Sequence, residues 1–220
     1  MTAASSFRAI LVSLIAAVLT AILRACCWSW RKDTRQLEKL RQLAAGRSPV
    51  LVLFWHGKYF PLFAIAEGLH ATIFAGDSFR GEVISNLSRR FGYDAQLIAA
   101  NHNGRSADCI RTAYKSAKLG ALAVDGPLGP FHVVNAGTVS LASELGLLVV
   151  PVSVASSPKM VLTKRWDRRE LPMPFARVAL AVGEPISVPN GLVRRELADF
   201  AAKIRASMDE TDSLAARLLG

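Results

Sequence analysis

The sequence predicts an α/β domain with a mostly parallel central sheet flanked by helices, preceded by a membrane-anchor helix. Three observations predict it. From residue 50 onward, short apolar runs alternate with helical stretches. The runs are apolar at nearly every position, the mark of strands covered on both faces. An apolar N-terminal segment abuts a cluster of basic residues. In 220 residues, with no polar low-complexity linker after residue 50, one sizeable core is expected. The expected division is an anchor plus amphipathic basic helix over 1–47 and an α/β domain over 48–220.

The first element is the anchor. Ala9 to Leu23 contains nothing more polar than Ser13 and Thr20, and a helix over that stretch spans roughly 22 Å. Extended to Trp30 it reaches about 33 Å, enough to cross roughly 30 Å of hydrocarbon with Arg24 at the interface and Trp28 and Trp30 as an aromatic belt. The sequence Arg-Ala-Cys-Cys-Trp-Ser-Trp after Leu23 makes a poor signal-peptide cleavage site. Arg31, Lys32, Arg35, Lys39 and Arg41 follow while only Arg8 precedes. The positive-inside bias therefore places the rest of the chain on the cytoplasmic side of a membrane. Next, Leu37, Leu40, Leu43 and Ala44 recur at helical spacing among basic residues. That pattern suits a helix lying on an anionic surface or one packed on the domain.

Beyond Pro49 the predicted elements are strand 50–55, helix 57–69, strand 71–75, helix 80–91, strand 95–99, helix 105–118, strand 120–124, helix 136–145, an apolar run 147–154, strand 177–182 and a C-terminal helix from about 191. Lys and Arg number 27 against 17 acids, and residues 1–49 supply six of the ten net positive charges. Such a chain fits anionic partners, among them membrane lipid and acidic carriers. Nucleic acid is disfavoured, because aromatics do not alternate with basic residues in the core. Three cysteines offer neither a disulfide framework nor a Cys-x-x-Cys spacing, and adjacent Cys26 and Cys27 read more simply as small apolar filler than as lipidation sites. The four histidines lack paired ligand spacing, and no P-loop or dinucleotide glycine pattern occurs, so no metal or cofactor is expected.

Open α/β sheets bind ligands beyond the carboxyl ends of their strands. The residues at those addresses are His56, Gly76-Asp77-Ser78, Asn101-His102 and Asp125-Gly126. His56 follows Val50-Leu-Val-Leu-Phe-Trp55, and an imidazole there is either a general base or a capping, packed histidine. The loop Asp125-Gly-Pro-Leu-Gly-Pro130 joins a carboxylate to a stiff turn. The amides of Gly126, Leu128 and Gly129 could receive an oxyanion or a phosphate, or the loop could be an ordinary tight turn.

These pieces resemble the lysophospholipid acyltransferase superfamily, specifically its lipid A secondary acyltransferase-like branch, over residues 50 to 187. The resemblance is carried by Phe54-Trp-His-Gly-Lys58, Arg80-Gly-Glu-Val-Ile84 with Phe91-Gly92, Asp125-Gly-Pro-Leu-Gly-Pro130, Asn135-Ala-Gly-Thr138 with Leu141-Ala142, Val150-Pro-Val152, Trp166-Asp-Arg168, Pro174-Phe175 and Gly183-Glu-Pro-Ile186. It implies that His56 is the catalytic base of an O-acyltransferase and that Asp125-Gly126 stands for the superfamily's Glu-Gly block. The donor would be acyl-CoA or acyl carrier protein and the acceptor a hydroxyl of a membrane lipid or lipid A-type precursor. One departure matters: where the superfamily places an acid five residues after its histidine, this chain has Pro61. Asp125 and Glu82 are the candidates to orient the ring, Asp125 the preferred one. Leu128 and Ile98 stand where the branch shows basic residues. Arg80, Arg105, Lys58 and the loop Lys164-Arg-Trp-Asp-Arg-Arg169 could replace the missing phosphate contacts or be solvated charges.

Two rival readings share the same residues. Gly76-Asp-Ser-Phe-Arg-Gly81 is one residue too long for a serine-hydrolase elbow, and Ser78, Asp125 and His132 would form its triad. A non-catalytic lipid-binding relative would explain the absent acid after His56 and the absent cations.

Overall fold

The computed structural model describes residues 3–98 and 105–220. Its elements in chain order are α1 (Ala3–Ser29), β1 (Arg31–Asp33), α2 (Leu37–Ala45), β2 (Val50–Phe54), a 3-10 turn (His56–Lys58), α3 (Tyr59–Ile65), β3 (Thr72–Gly76), α4 (Phe79–Arg90), β4 (Asp94–Ile98), α5 (Arg105–Ser116), β5 (Leu119–Ala123), α6 (Ala136–Leu145), β6 (Leu148–Val161), β7 (Glu170–Val182), β8 (Ile186–Ser187) and α7 (Arg194–Leu218). The strands lie in one sheet in the order β1-β7-β6-β2-β5-β3-β4, with β8 on β6. β2 pairs in parallel with β5 and β6, β3 with β4 and β5, and β1 with β7; among the described residues the β6–β7 and β6–β8 pairs are antiparallel. The expected fold class is the observed one.

β2 shows why its residues make a central strand. Successive side chains point to opposite faces. Val50 and Val52 enter the core beneath α1 to α4, while Leu51 and Leu53 enter the one that α6 and α7 close. Burying a residue of this size contributes roughly 1.5–3 kcal/mol, and an all-apolar strand collects that on both sides.

The long strands β6 and β7 differ from expectation. The sequence predicted a strand only over 177–182, yet β7 starts at Glu170 and pairs with β6 as far out as Val161, forming an arm beyond the parallel sheet. Pro172, Pro174 and exposed Met173 and Phe175 conceal that extension from a pattern reading. The arm projects the loop 162–169 toward the end of β2.

The N-terminal segment also joins the folded body. β1 pairs with β7, and α2 buries Leu37 and Leu40, so of the two readings of that helix the structure takes the packed one. α1 docks lengthwise along the domain through Val12, Ala16, Thr20, Leu23 and Cys27, a stripe at helical spacing. Arg8 bonds Glu82 at 2.6 Å, Arg24 bonds Glu67 at 2.6 Å, and Arg90 reaches Ser13 Oγ at 3.2 Å. The opposite face of α1 exposes Phe7, Ile10, Leu11, Leu14, Val18 and Ile22. Its segment Ser5–Ser29 is long and apolar enough to cross a membrane. Trp30 does not belong to an interfacial belt: it is buried, and its Nε1–H donates to the Met173 carbonyl at 3.1 Å.

Candidate active site

β2 ends over the fully buried Trp55, and His56 opens the 3-10 turn at the carboxyl edge of the sheet. The register Phe54↔Ala123 sets Asp125, just past β5, level with His56. Asp125 does not touch the ring, contrary to the preferred expectation. Its Oδ1 accepts from the His56 backbone N–H at 2.8 Å, so it fixes the main chain from which the imidazole projects. Burial pushes its carboxyl up to about 6, against backbone hydrogen bonds from His56, its own amide and His132. Oδ2 is buried without a partner. A carboxyl raised in the folded state costs stability as pH climbs from about 4 to about 6. Asp125→Asn, which keeps the acceptor for His56, is therefore expected to raise the thermal midpoint above pH 6 and to match wild type below pH 4; melting curves across that range check it.

The acid on the ring is Asp167. Its Oδ2 stands 2.9 Å from His56 Nδ1, and its side chain is fully buried at 0 % exposure. Glu82, the other expected partner, is taken by Arg8 of α1. The approach depends on a glycine: a Cβ on Gly57 would lie 2.2 Å from the Asp167 carbonyl oxygen. Only the absence of a side chain after His56 lets the loop backbone close on the turn. Gly57→Ala is expected to push the loop off, costing about 1–3 kcal/mol and disrupting the dyad, measurable as a lowered urea midpoint. Gly129 serves in the same way, since its Cβ would fall 2.7 Å from the Trp166 ring. Trp166 thus packs on the Gly/Pro loop and faces His56, with ring centroids 5.1 Å apart.

Two arginines hold Asp167. Arg165 Nε donates to Oδ1 at 2.8 Å and Arg169 Nη2 to Oδ2 at 3.0 Å. Burial alone would push this carboxyl up, but hydrogen bonds from Arg165 and His56 and the charges of both arginines hold it at about 2. His56 moves down from its ordinary value, chiefly through burial, with the Asp167 hydrogen bond and charge pulling the other way. The imidazole is therefore kept neutral near pH 7, one nitrogen oriented by a carboxylate and 21 % of its side chain still open to solvent.

The remaining expected residues divide. Lys58 is not free for substrate: its Nζ pairs with Asp212 of α7 at 3.1 Å and bonds Ser153 Oγ at 3.3 Å, mostly out of solvent. Arg80 is exposed in the first turn of α4. The Gly126 amide already donates to the Ala123 carbonyl at 3.1 Å. Leu128 is exposed at the loop tip beside Gly129. Arg105 begins α5, while Asn101 and His102 fall outside the described residues. Ser78 caps α4, its hydroxyl accepting from the Gly81 N–H at 3.1 Å, and His132 is stacked on Trp55 and Phe131. Neither is arranged as in a hydrolase triad. Among the described residues, no cluster of three or more His, Cys, Asp or Glu could hold a metal ion.

Tyr59 links the polar dyad to an apolar interior. Its ring meets His56 edge-on at 5.2 Å and lies under the Arg169 guanidinium at 4.5 Å. It also lines a cavity under the sheet, walled by Leu40, Phe63, Ile73, Tyr93 and Leu180 among others.

Asp167 went unrecognised because a single acid in Lys-Arg-Trp-Asp-Arg-Arg reads as part of a solvated cationic loop, 111 residues from His56. The available signal was that loop's one acid, next to a tryptophan in a motif that carried the resemblance.

No family model matches the chain. An uncharacterized protein of Rickettsia prowazekii (strain Madrid E) is 27% identical over 197 residues, covering 85% of this chain and 87% of that protein. Among solved structures, the 1-acyl-sn-glycerophosphate (LPA) acyltransferase PlsC from Thermotoga maritima superposes with a TM-score of 0.54 at 13% identity, over 96% of this chain and 98% of that one. This chain therefore shares its fold with that protein over nearly its whole length.

Proposed function

We propose that this protein is a membrane-seated O-acyltransferase that moves a fatty acyl chain from a thioester, acyl-CoA or acyl carrier protein, to a hydroxyl of a phospholipid or lipid A-type precursor. The observation that carries the reading is the His56–Asp167 pair at the carboxyl end of β2, 2.9 Å apart, beside an apolar cavity. With Nδ1 engaged by Asp167, Nε2 is the base. It accepts the acceptor's hydroxyl proton as that oxygen bonds to the thioester carbonyl carbon. The tetrahedral intermediate then expels the thiolate, which takes the proton back from His56. No covalent enzyme intermediate is needed. Leu128 and Gly129 are the loop amides proposed to face the oxyanion, and the cavity past Tyr59 to receive acyl chain.

The membrane enters through α1. Its docked stripe and its exposed apolar face are on opposite sides, an arrangement that suits a helix lying in the bilayer interface with the domain beneath it. Arg80, exposed in the first turn of α4, is proposed to meet the acceptor's anionic group. Arg80→Ala is expected to raise the acceptor's apparent KM about tenfold with little change in kcat, checked by steady-state kinetics.

The test is direct. Purified full-length protein in detergent is given labelled acyl-CoA or acyl carrier protein with lysophospholipid and lipid A-precursor acceptors, and products are read by mass spectrometry. Transfer that disappears with His56→Ala supports the proposal. Transfer that persists in His56→Ala but is lost in Ser78→Ala overturns it, as does binding of lipids without turnover of any donor.

A further inference from the structure

A second apolar surface adjoins α1, and the chain accepts strain to present it. Between Pro172 and Arg177, β7 carries four residues where β6 has only Pro158, so Met173, Pro174, Phe175 and Ala176 form a bulge. Phe175 sits there at φ 62°, in the left-handed region that a bulky residue occupies only at a cost. What the strain achieves is exposure: Phe175 is 76 % accessible. The bulge is fastened to the last turn of α1, with the Phe175 N–H donating to Ser29 Oγ at 3.0 Å and Trp30 Nε1–H to the Met173 carbonyl. Next to it Trp28, at the end of the exposed face of α1, is 86 % accessible, and Met160 and Met173 are exposed too.

Charge completes the surface. β1 pairs with β7 so that Arg31 lies opposite Arg177, two residues past Phe175. Like charges directly opposite on adjacent strands destabilise a sheet. Among the described residues neither arginine is in an ion pair with an acidic side chain, although Arg177 Nη1 donates to the Gly220 oxygen at 3.4 Å, and Asp33, which shares their groove, is held by Arg35. The groove also takes in Lys32, Leu218 and Leu219. Adjacent aromatic side chains and arginines without an acidic side-chain partner are the pattern of a membrane interface, where rings sit at headgroup level and guanidinium groups meet phosphate.

We propose that this bulge is a second seat of the protein on an anionic phospholipid bilayer, with Phe175 and Trp28 entering the interface and Arg31 and Arg177 contacting headgroups. It is continuous with the outer face of α1 and rests on the reading of that helix as membrane-seated. The same β6–β7 arm carries Asp167, so the seat holds at the membrane the element that completes the dyad.

Photocrosslinking tests this. The full-length protein is bound to phosphatidylcholine vesicles containing phosphatidylglycerol with a photoreactive acyl chain, irradiated, and digested for mass spectrometry. Adducts are expected at Phe175, Met173 and Trp28 as well as along Phe7 to Ile22. In Arg31→Ala/Arg177→Ala the arm adducts should fall roughly tenfold while those on α1 and acyl transfer in detergent persist. Adducts confined to α1 overturn the second seat but leave the anchor. Their absence from both overturns the seat and the membrane reading together, and unchanged arm adducts in the double variant overturn the headgroup contacts.

Discussion

His56→Ala is expected to lower kcat about 10³-fold with the donor's binding nearly unchanged. The side chain is oriented by Asp167 and still reached from solvent, and general-base catalysis contributes roughly 10²–10⁴. The ring makes few stabilising contacts beyond Tyr59, Trp166 and Asp167, so the variant should fold. Donor binding by the variant, measured by isothermal titration, separates lost chemistry from lost structure. A fall in affinity that matches the fall in turnover would place His56 among the packing residues instead.

Asp167→Asn is the more discriminating experiment. Asparagine keeps the volume and can still meet Arg165, but its carbonyl or amide no longer selects the tautomer with Nε2 as acceptor. Loss of a charged orienting acid in comparable dyads costs roughly 10³–10⁴ in kcat. Two further signs follow from the electrostatics. Arg165 and Arg169 lose their shared counter-charge, so His56, already below its ordinary value, moves lower still, and the acidic limb of the kcat/KM profile shifts to lower pH. A carboxylate held near 2 stabilises the fold above its unfolded value near 4, and that stability is lost as pH falls toward 2. The difference amounts to about 2 kcal/mol. The asparagine variant should therefore show a shallower loss of stability between pH 5 and 2. A variant with wild-type kcat and an unmoved profile would assign Asp167 to structure alone.

Much of this site could be read from the chain. The strand 50–55 lies within one residue of β2, so His56 was placed at the sheet's carboxyl edge by its apolar run alone. The same holds for Asp125 past β5. Both are local facts: which residue follows a strand is a matter of sequence order. The resemblance supplied a role for His56 but expected an acid at position 61, where α3 buries a proline.

The partners were a different matter. Lys58, two residues from His56, looked available and is instead tied to Asp212 on the last helix. Glu82 looked available and is bound to Arg8 on the first. α1 read as a free span, because composition reports that a helix is apolar but not that Val12, Ala16 and Leu23 have a domain to pack against.

By itself the sequence determined the alternation of strands and helices, the doubly covered sheet, the apolar basic N-terminus and the histidine at the end of the first core strand. These depend on periodicity and order within a dozen or so residues. Only the tertiary structure decided that Asp167, not Asp125 or Glu82, meets the imidazole, and that the N-terminal helix lies along the domain. Such pairings join residues scores of positions apart, and they are set by which backbones approach closely enough, as at Gly57, for one side chain to reach another.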